Sequence, residues 1–195
     1  MPLAVMPLLF GIQQAVEGVV WISSGTPWLQ AAASFTYLLF SHMLWPFYVP
    51  FAVGAIEPPG RRKTVLKGFF LVGVALSLWI ASYIFSGPVT ATLGACCVVY
   101  QNNLPPIPYV LAAYVFVTCF SCLISSHKYI RVLGFALMGA LAISLWYYRL
   151  GFYSVWCFFS AILSGIIYAH LREGRGLVPA QVREFIKNGR RPKTG

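Results

Sequence analysis

The chain has 195 residues, of which 59% are apolar, 16% aromatic and only 9% charged, against about 25% charged in a typical soluble domain. This excludes a water-soluble globular domain, and six membrane spans of about 20 residues each would take roughly 120 positions, leaving no room for a second, soluble one. The net charge of +10 would suit nucleic acid binding in a soluble protein, but here the basic residues sit in loops between apolar runs, where they read as topology signals; no nucleic acid partner is expected.

Apolar runs between breakers predict six helices, at about 3–24, 31–55, 66–86, 107–126, 132–148 and 151–171. The expected fold is an all-α polytopic transmembrane helix bundle over residues 1–171, followed by a basic tail over 172–195. The first run starts at once, as a signal peptide would. It lacks a basic leading segment, is too long, and carries Gln13, Gln14 and Glu17 in its middle, so it is read as a span. When the joints are assigned to alternate sides, every Lys and Arg except Arg149 falls on one side. The positive-inside rule then makes both termini cytoplasmic, in a multi-pass protein of the cell membrane. Aromatic residues such as Trp28, Trp79, Tyr83, Trp146 and Tyr148 gather toward the other side, as rings that favour the headgroup layer do.

Small residues recur at four-residue spacing, Ala136, Ala140 and Ser144 on the fifth run and Ser160 with Ser164 on the sixth, which suits close helix packing. The uncharged connection from Gly87 to Asn103 is either a plain connector or a lid over the helix ends. In the tail, Val178, Val182, Phe185 and Ile186 fall at helical spacing beside Arg183, Lys187, Arg190 and Arg191. That pattern suits a helix resting on anionic inner-leaflet lipids, with a solvated tail as the alternative.

The most informative polar constellation lies on the first span. Glu17 is four residues from Gln13, three from Gln14 and four from Trp21, so these side chains share a helical face. Gly18 would let another backbone approach beside them. An acid at membrane depth costs about 2.5 to 3.5 kcal/mol on insertion scales, so Glu17 is expected to face protein or water. Counted from the cytoplasmic side, His42 on the second span lies at nearly the same depth, which makes it a candidate partner, with Trp45 one turn away. Pro46 and Pro50 remove backbone donors just below His42 and predict a kink there. Gln13, Gln14, Glu17, Trp21, His42 and Trp45 therefore form either a site for a small ligand or a proton, or interhelical hydrogen-bond glue.

Other chemistries find less support. His127 and His170 lie near the cytoplasmic surface, far from His42, and Asp is absent, so no metal or other cofactor is expected. Cys119 and Cys122 have CxxC spacing but lie in an apolar run and read as core. The adjacent Cys96 and Cys97 fall in a loop and are the one place where oxidation is worth testing.

The stretch Pro7-Leu8-Leu9-Phe10-Gly11-Ile12-Gln13-Gln14, followed by Glu17-Gly18 and Trp21, resembles an uncharacterised bacterial family of multi-pass membrane proteins. Trp45-Pro46, Val49-Pro50 and Glu57 with the basic loop after it are similar to that family's next segment. Members typically begin with a further helix opening in a Met-Cys-Phe-Ser-like motif, which this sequence lacks, so six spans stand where the resemblance implies seven. The resemblance implies a membrane fold and no activity.

The leading expectation is a small transporter, channel-like or sensory protein with an intramembrane polar site. The alternative is a structural or partner-binding membrane protein acting through its basic tail. A lipid-modifying enzyme would need a set of reactive side chains that the sequence does not offer. Oligomeric state is not legible.

Overall fold

The computed structural model describes residues 1–105 and 108–176. It contains six helical rods, one in each of the six apolar runs. The first is α1 (Pro2–Ile22). The second runs without a break over Pro27–Ile56 and comprises α2 (Pro27–Leu38), a π-helical segment (Leu39–Leu44) and α3 (Trp45–Ile56). Then come α4 (Arg61–Ile84), α5 (Pro108–Ile124) and α6 (Lys128–Tyr147). The sixth rod is α7 (Phe152–Leu163) continued by α8 (Gly165–Gly176). Five rods are long and apolar enough to cross a membrane, whereas α5, at 17 residues, is shorter. At 1.5 Å per residue α5 spans about 25 Å, short of a hydrocarbon layer of about 30 Å.

Local sequence explains where the rods stop. Pro27 occupies a first-turn position, where a missing N–H costs nothing. The second joint turns at Gly60, whose φ of 151° is open to glycine and strained for other residues. Along the rods, Leu8, Leu71, Leu78, Phe135 and Ile162 point outward and are exposed, a surface suited to lipid and not to water. Buried hydroxyls inside the bundle bond to their own helix: Ser121 to the Val117 carbonyl, Ser144 to that of Ala140 and Ser160 to that of Trp156. Such back-bonding satisfies a hydroxyl where no water is at hand.

The expected break at Pro46 takes the form of a widened helix. In a π turn the carbonyl of residue i faces the N–H of residue i+5, so Ser41 faces Pro46, which has none. The Tyr114 hydroxyl from α5 donates to that Ser41 carbonyl at 2.6 Å, and Ser77 Oγ from α4 donates to the Met43 carbonyl at 2.7 Å. Irregular backbone at depth is thus satisfied by neighbouring helices. Pro50 deprives the Pro46 carbonyl of its helical donor. Gly73 packs directly against that carbonyl, and a Cβ there would collide with the backbone of Pro46 and Phe47.

One element differs from the all-α expectation. The uncharged connection after α4 forms a β-hairpin, β1 (Thr90–Leu93) with β2 (Val98–Gln101), antiparallel and paired Thr90 to Gln101 and Leu93 to Val98. Gly94 N–H donates to the Cys97 carbonyl at 2.9 Å, which leaves Ala95 and Cys96 at the tip. Val98 is buried and packs in one cluster with Val20 of α1 and Ala33 of α2. The hairpin is therefore seated on the helix ends, as the lid alternative has it. Two adjacent β-branched residues with Tyr100, opposite a Thr90 and Thr92 alternation, are the strand signal that the surrounding apolar runs obscure.

Candidate functional site

Glu17 is buried on the hairpin half of α1 and lines a cavity of about 390 Å³. Among the described residues its carboxyl group receives one hydrogen bond, from the Tyr100 hydroxyl at 3.3 Å. Ser154 of α7 is directed at the same carboxyl, and its Oγ also accepts the Val98 N–H of the hairpin at 3.4 Å. Tyr100 is held from behind by the Tyr37 ring, stacked at 4.5 Å and 10°. Burial first, and then the charge of Glu17, push the Tyr100 phenol far above the ordinary tyrosine range, so it stays a donor. The cavity wall also includes Gln14, Trp21, Tyr148, Phe158 and Phe159, with Cys96 from the hairpin tip. Among the described residues no lysine, arginine or histidine lines it.

The candidate residues separate into two groups. Gln13 faces the second rod, where its Oε1 accepts the Trp45 indole N–H at 2.7 Å while Phe10 stacks on the Trp45 ring at 3.9 Å. These two residues form a packing joint between α1 and α3. Gln14 and Trp21 join Glu17 at the cavity. Gln14 Nε2 is buried and faces the carboxyl without reaching hydrogen-bond geometry, and Gln13 Nε2 is likewise unpartnered.

The expected pairing of Glu17 with His42 is not found. The Gln13 to Trp45 bond sets a register in which Glu17, one turn further, is level with the Ser41–His42 turn. The two side chains nevertheless leave their helices in different directions. His42 Nδ1 lies 2.7 Å from Ser41 Oγ, and its ring tilts over Tyr153 at 4.3 Å. It lines a separate cavity of about 430 Å³ with Tyr153, Asn102 and Tyr100. Tyr100 serves both places, with its hydroxyl on Glu17 and its body on the His42 side. Gly18 does not admit a backbone, because a Cβ there would meet nothing within 4 Å; it borders the cavity instead. Close approach occurs at Gly73.

The basic end holds an arrangement that composition and spacing did not single out. Glu57, at the end of the second rod, accepts from Ser125 Oγ at 3.0 Å and from the Ser126 N–H at 3.0 and 3.1 Å. His127 Nε2 lies 3.1 Å from the Ile56 carbonyl, and Lys63 donates to the Glu57 carbonyl at 3.1 Å. The carboxylate thereby ties two loops together just before α6. Its signal in the sequence is weak: an acid before Pro-Pro and a Ser-Ser pair before a helix start, 68 residues apart in the chain. Cys119 and Cys122 are buried core residues. Among the described residues no three His, Cys, Asp or Glu side chains gather where they could hold a metal. Arg183, Lys187, Arg190 and Arg191 lie outside the described residues.

Fold and composition together define a helical protein with five rods long and apolar enough to cross a membrane. The chain belongs to a family of unknown function, DUF6629, whose profile matches residues 1–182. No curated protein and no solved structure matches it.

Proposed function

We propose that this is a multi-pass membrane protein of the transporter-like or sensory kind, which binds a small ligand or a proton at Glu17 beneath the hairpin. The observation that carries this reading is an under-satisfied carboxyl group on a cavity: Glu17 is buried with one long hydrogen bond, and the unpaired amide nitrogen of Gln14 stands beside it. A buried polar group left without partners costs on the order of 1 to 3 kcal/mol, so a scaffold role alone gives no reason to keep both groups around an open volume. The proposed orientation has the basic end in the cytoplasm, with the hairpin and its cavity on the opposite side. Activity of a cytoplasm-dependent reporter fused after Gly195 is the expected result, and activity only on the other side would reverse the orientation.

The functional test uses Gly18→Leu, a substitution that adds bulk at a cavity-lining position where a Cβ meets nothing within 4 Å. Mass spectrometry of small molecules retained by the purified protein, and proton flux into dye-loaded proteoliposomes, are compared for wild type, Gly18→Leu and Glu17→Gln. Loss of a retained molecule or of flux in both variants is expected. Three proteins alike in both measurements would overturn the reading.

A further inference from the structure

The chemistry of the cavity wall narrows the ligand, and this step rests on the reading just given. A buried carboxylate needs a compensating positive charge or a proton. Among the described residues the wall offers no basic side chain, which leaves the compensation to a cation from outside. A proton alone needs no cavity of about 390 Å³. A bare metal ion needs several oxygen ligands close together, whereas among the described residues Glu17 has beside it the Gln14 amide and the hydroxyls of Ser154 and Tyr100, with no second carboxylate. Aromatic residues form the largest class in the lining, with Trp21, Tyr148, Phe158 and Phe159 beside Glu17 in the same cavity. Ring faces attract organic cations and are poor partners for anions. Among the described residues, one acid, no base and four aromatic side chains lining a volume at the small end of ligand pockets suit a compact ammonium group.

We infer that the Glu17 cavity binds a small organic ammonium ion, with its charge on the Glu17 carboxylate and its alkyl groups against Trp21, Tyr148, Phe158 and Phe159. The Gln14 side chain lies beside the carboxyl and is free to orient toward a hydroxyl or carbonyl carried by the same ligand. The hairpin completes the enclosure through Cys96 at the tip and Tyr100 on the carboxyl.

The test is equilibrium binding to the full chain in lipid nanodiscs, using choline and butylammonium as cationic probes, neohexyl alcohol as the uncharged isostere of choline, and butyrate as the anion. At least one cation is expected to bind roughly tenfold or more tightly than neohexyl alcohol and butyrate, the factor that a cation–π contact of about 1 to 2 kcal/mol produces. That binding should be lost in Glu17→Gln and Gly18→Leu and weakened several-fold in Trp21→Ala. Trp21 is partly exposed, so its replacement leaves the core intact even if the Glu17 variant folds poorly. Equal binding of choline and its neutral isostere overturns the cation assignment and leaves the cavity as a binding site. No binding by either cation, while Gly18→Leu still removes a co-purifying molecule, also overturns only the assignment. If no probe binds and Gly18→Leu changes nothing, both readings fall.

Discussion

Two buried carboxyl groups stand at opposite ends of the bundle, and their surroundings differ in kind. Glu57 accepts three hydrogen bonds between 3.0 and 3.1 Å, two of them from one backbone N–H, and joins the loop after the second rod to the loop before α6. Glu17 accepts one bond at 3.3 Å and opens on a cavity. Both are almost fully covered, at 3% and 6% exposure, so burial alone does not distinguish a clamp from a site. Saturation of the oxygen atoms does. A carboxylate that holds structure uses its lone pairs within the protein, and one that holds a ligand keeps some of them free.

The comparison breaks most visibly at Glu57. Replacing it with Ala leaves the Ser126 N–H and the Ser125 hydroxyl without their acceptor, a change in charged hydrogen bonds worth about 3 kcal/mol or more. The expected result is a large fall in unfolding temperature in mild detergent, with part of it recovered by Glu57→Gln. An Ala variant as stable as wild type would return Glu57 to the same class as Glu17. Next in size is Tyr100→Phe, which removes the hydroxyl that donates to Glu17 at 3.3 Å and keeps the ring stacked on Tyr37. One hydrogen bond of this kind is worth about 1 kcal/mol, and the loss is expected to be no larger. Smaller still is the stability change in Glu17→Gln, expected within about 0.5 kcal/mol of wild type or on the stabilising side, since working sites are often not optimised for stability. A loss comparable to that of Glu57→Ala would make Glu17 scaffold.

How far the sequence exposed these features follows from which geometric quantity each one needs. Six helices are legible because length and apolar content are local properties of a run. The depth relation of Glu17 and His42 is legible too, since rise per residue is fixed. Their direction is not: a π segment at Leu39–Leu44 changes the rotation of everything that precedes Trp45, and nothing in the residues before Pro46 announces a wide turn instead of a simple kink. Tyr100 was out of reach for another reason. It arrives at Glu17 from 83 residues away, on a strand whose role depends on the hairpin seating between Val20 and Ala33. The Glu57 clamp likewise joins two loops with no shared pattern, and only the packed structure brings them together.

The smallest expected effect tests the hairpin on which the Glu17 side of the comparison depends. Cys96 is exposed at the tip, and Cys97 is partly covered, with its Sγ packed over Gly151. Burial, then the hydrogen bond and charge of Cys96 beside it, raise the Cys97 thiol above its ordinary value. Because the folded value lies above the unfolded one, the neutral thiol's contribution to hairpin stability is intact below the ordinary cysteine range of about pH 8.5 and is lost as pH rises through the folded value. Alkylation needs the thiolate. In Cys96→Ser the remaining Cys97 should therefore label slowly until the solution is clearly alkaline, and slower than the exposed Cys96 that remains in Cys97→Ser, both followed by mass spectrometry of the intact protein with the covered core thiols as the unreactive reference. Equal rates near neutral pH would mean that the hairpin is not seated on the Gly151 turn. Tyr100 would then not be held over Glu17, and the carboxyl would lose the enclosure that sets it apart from Glu57.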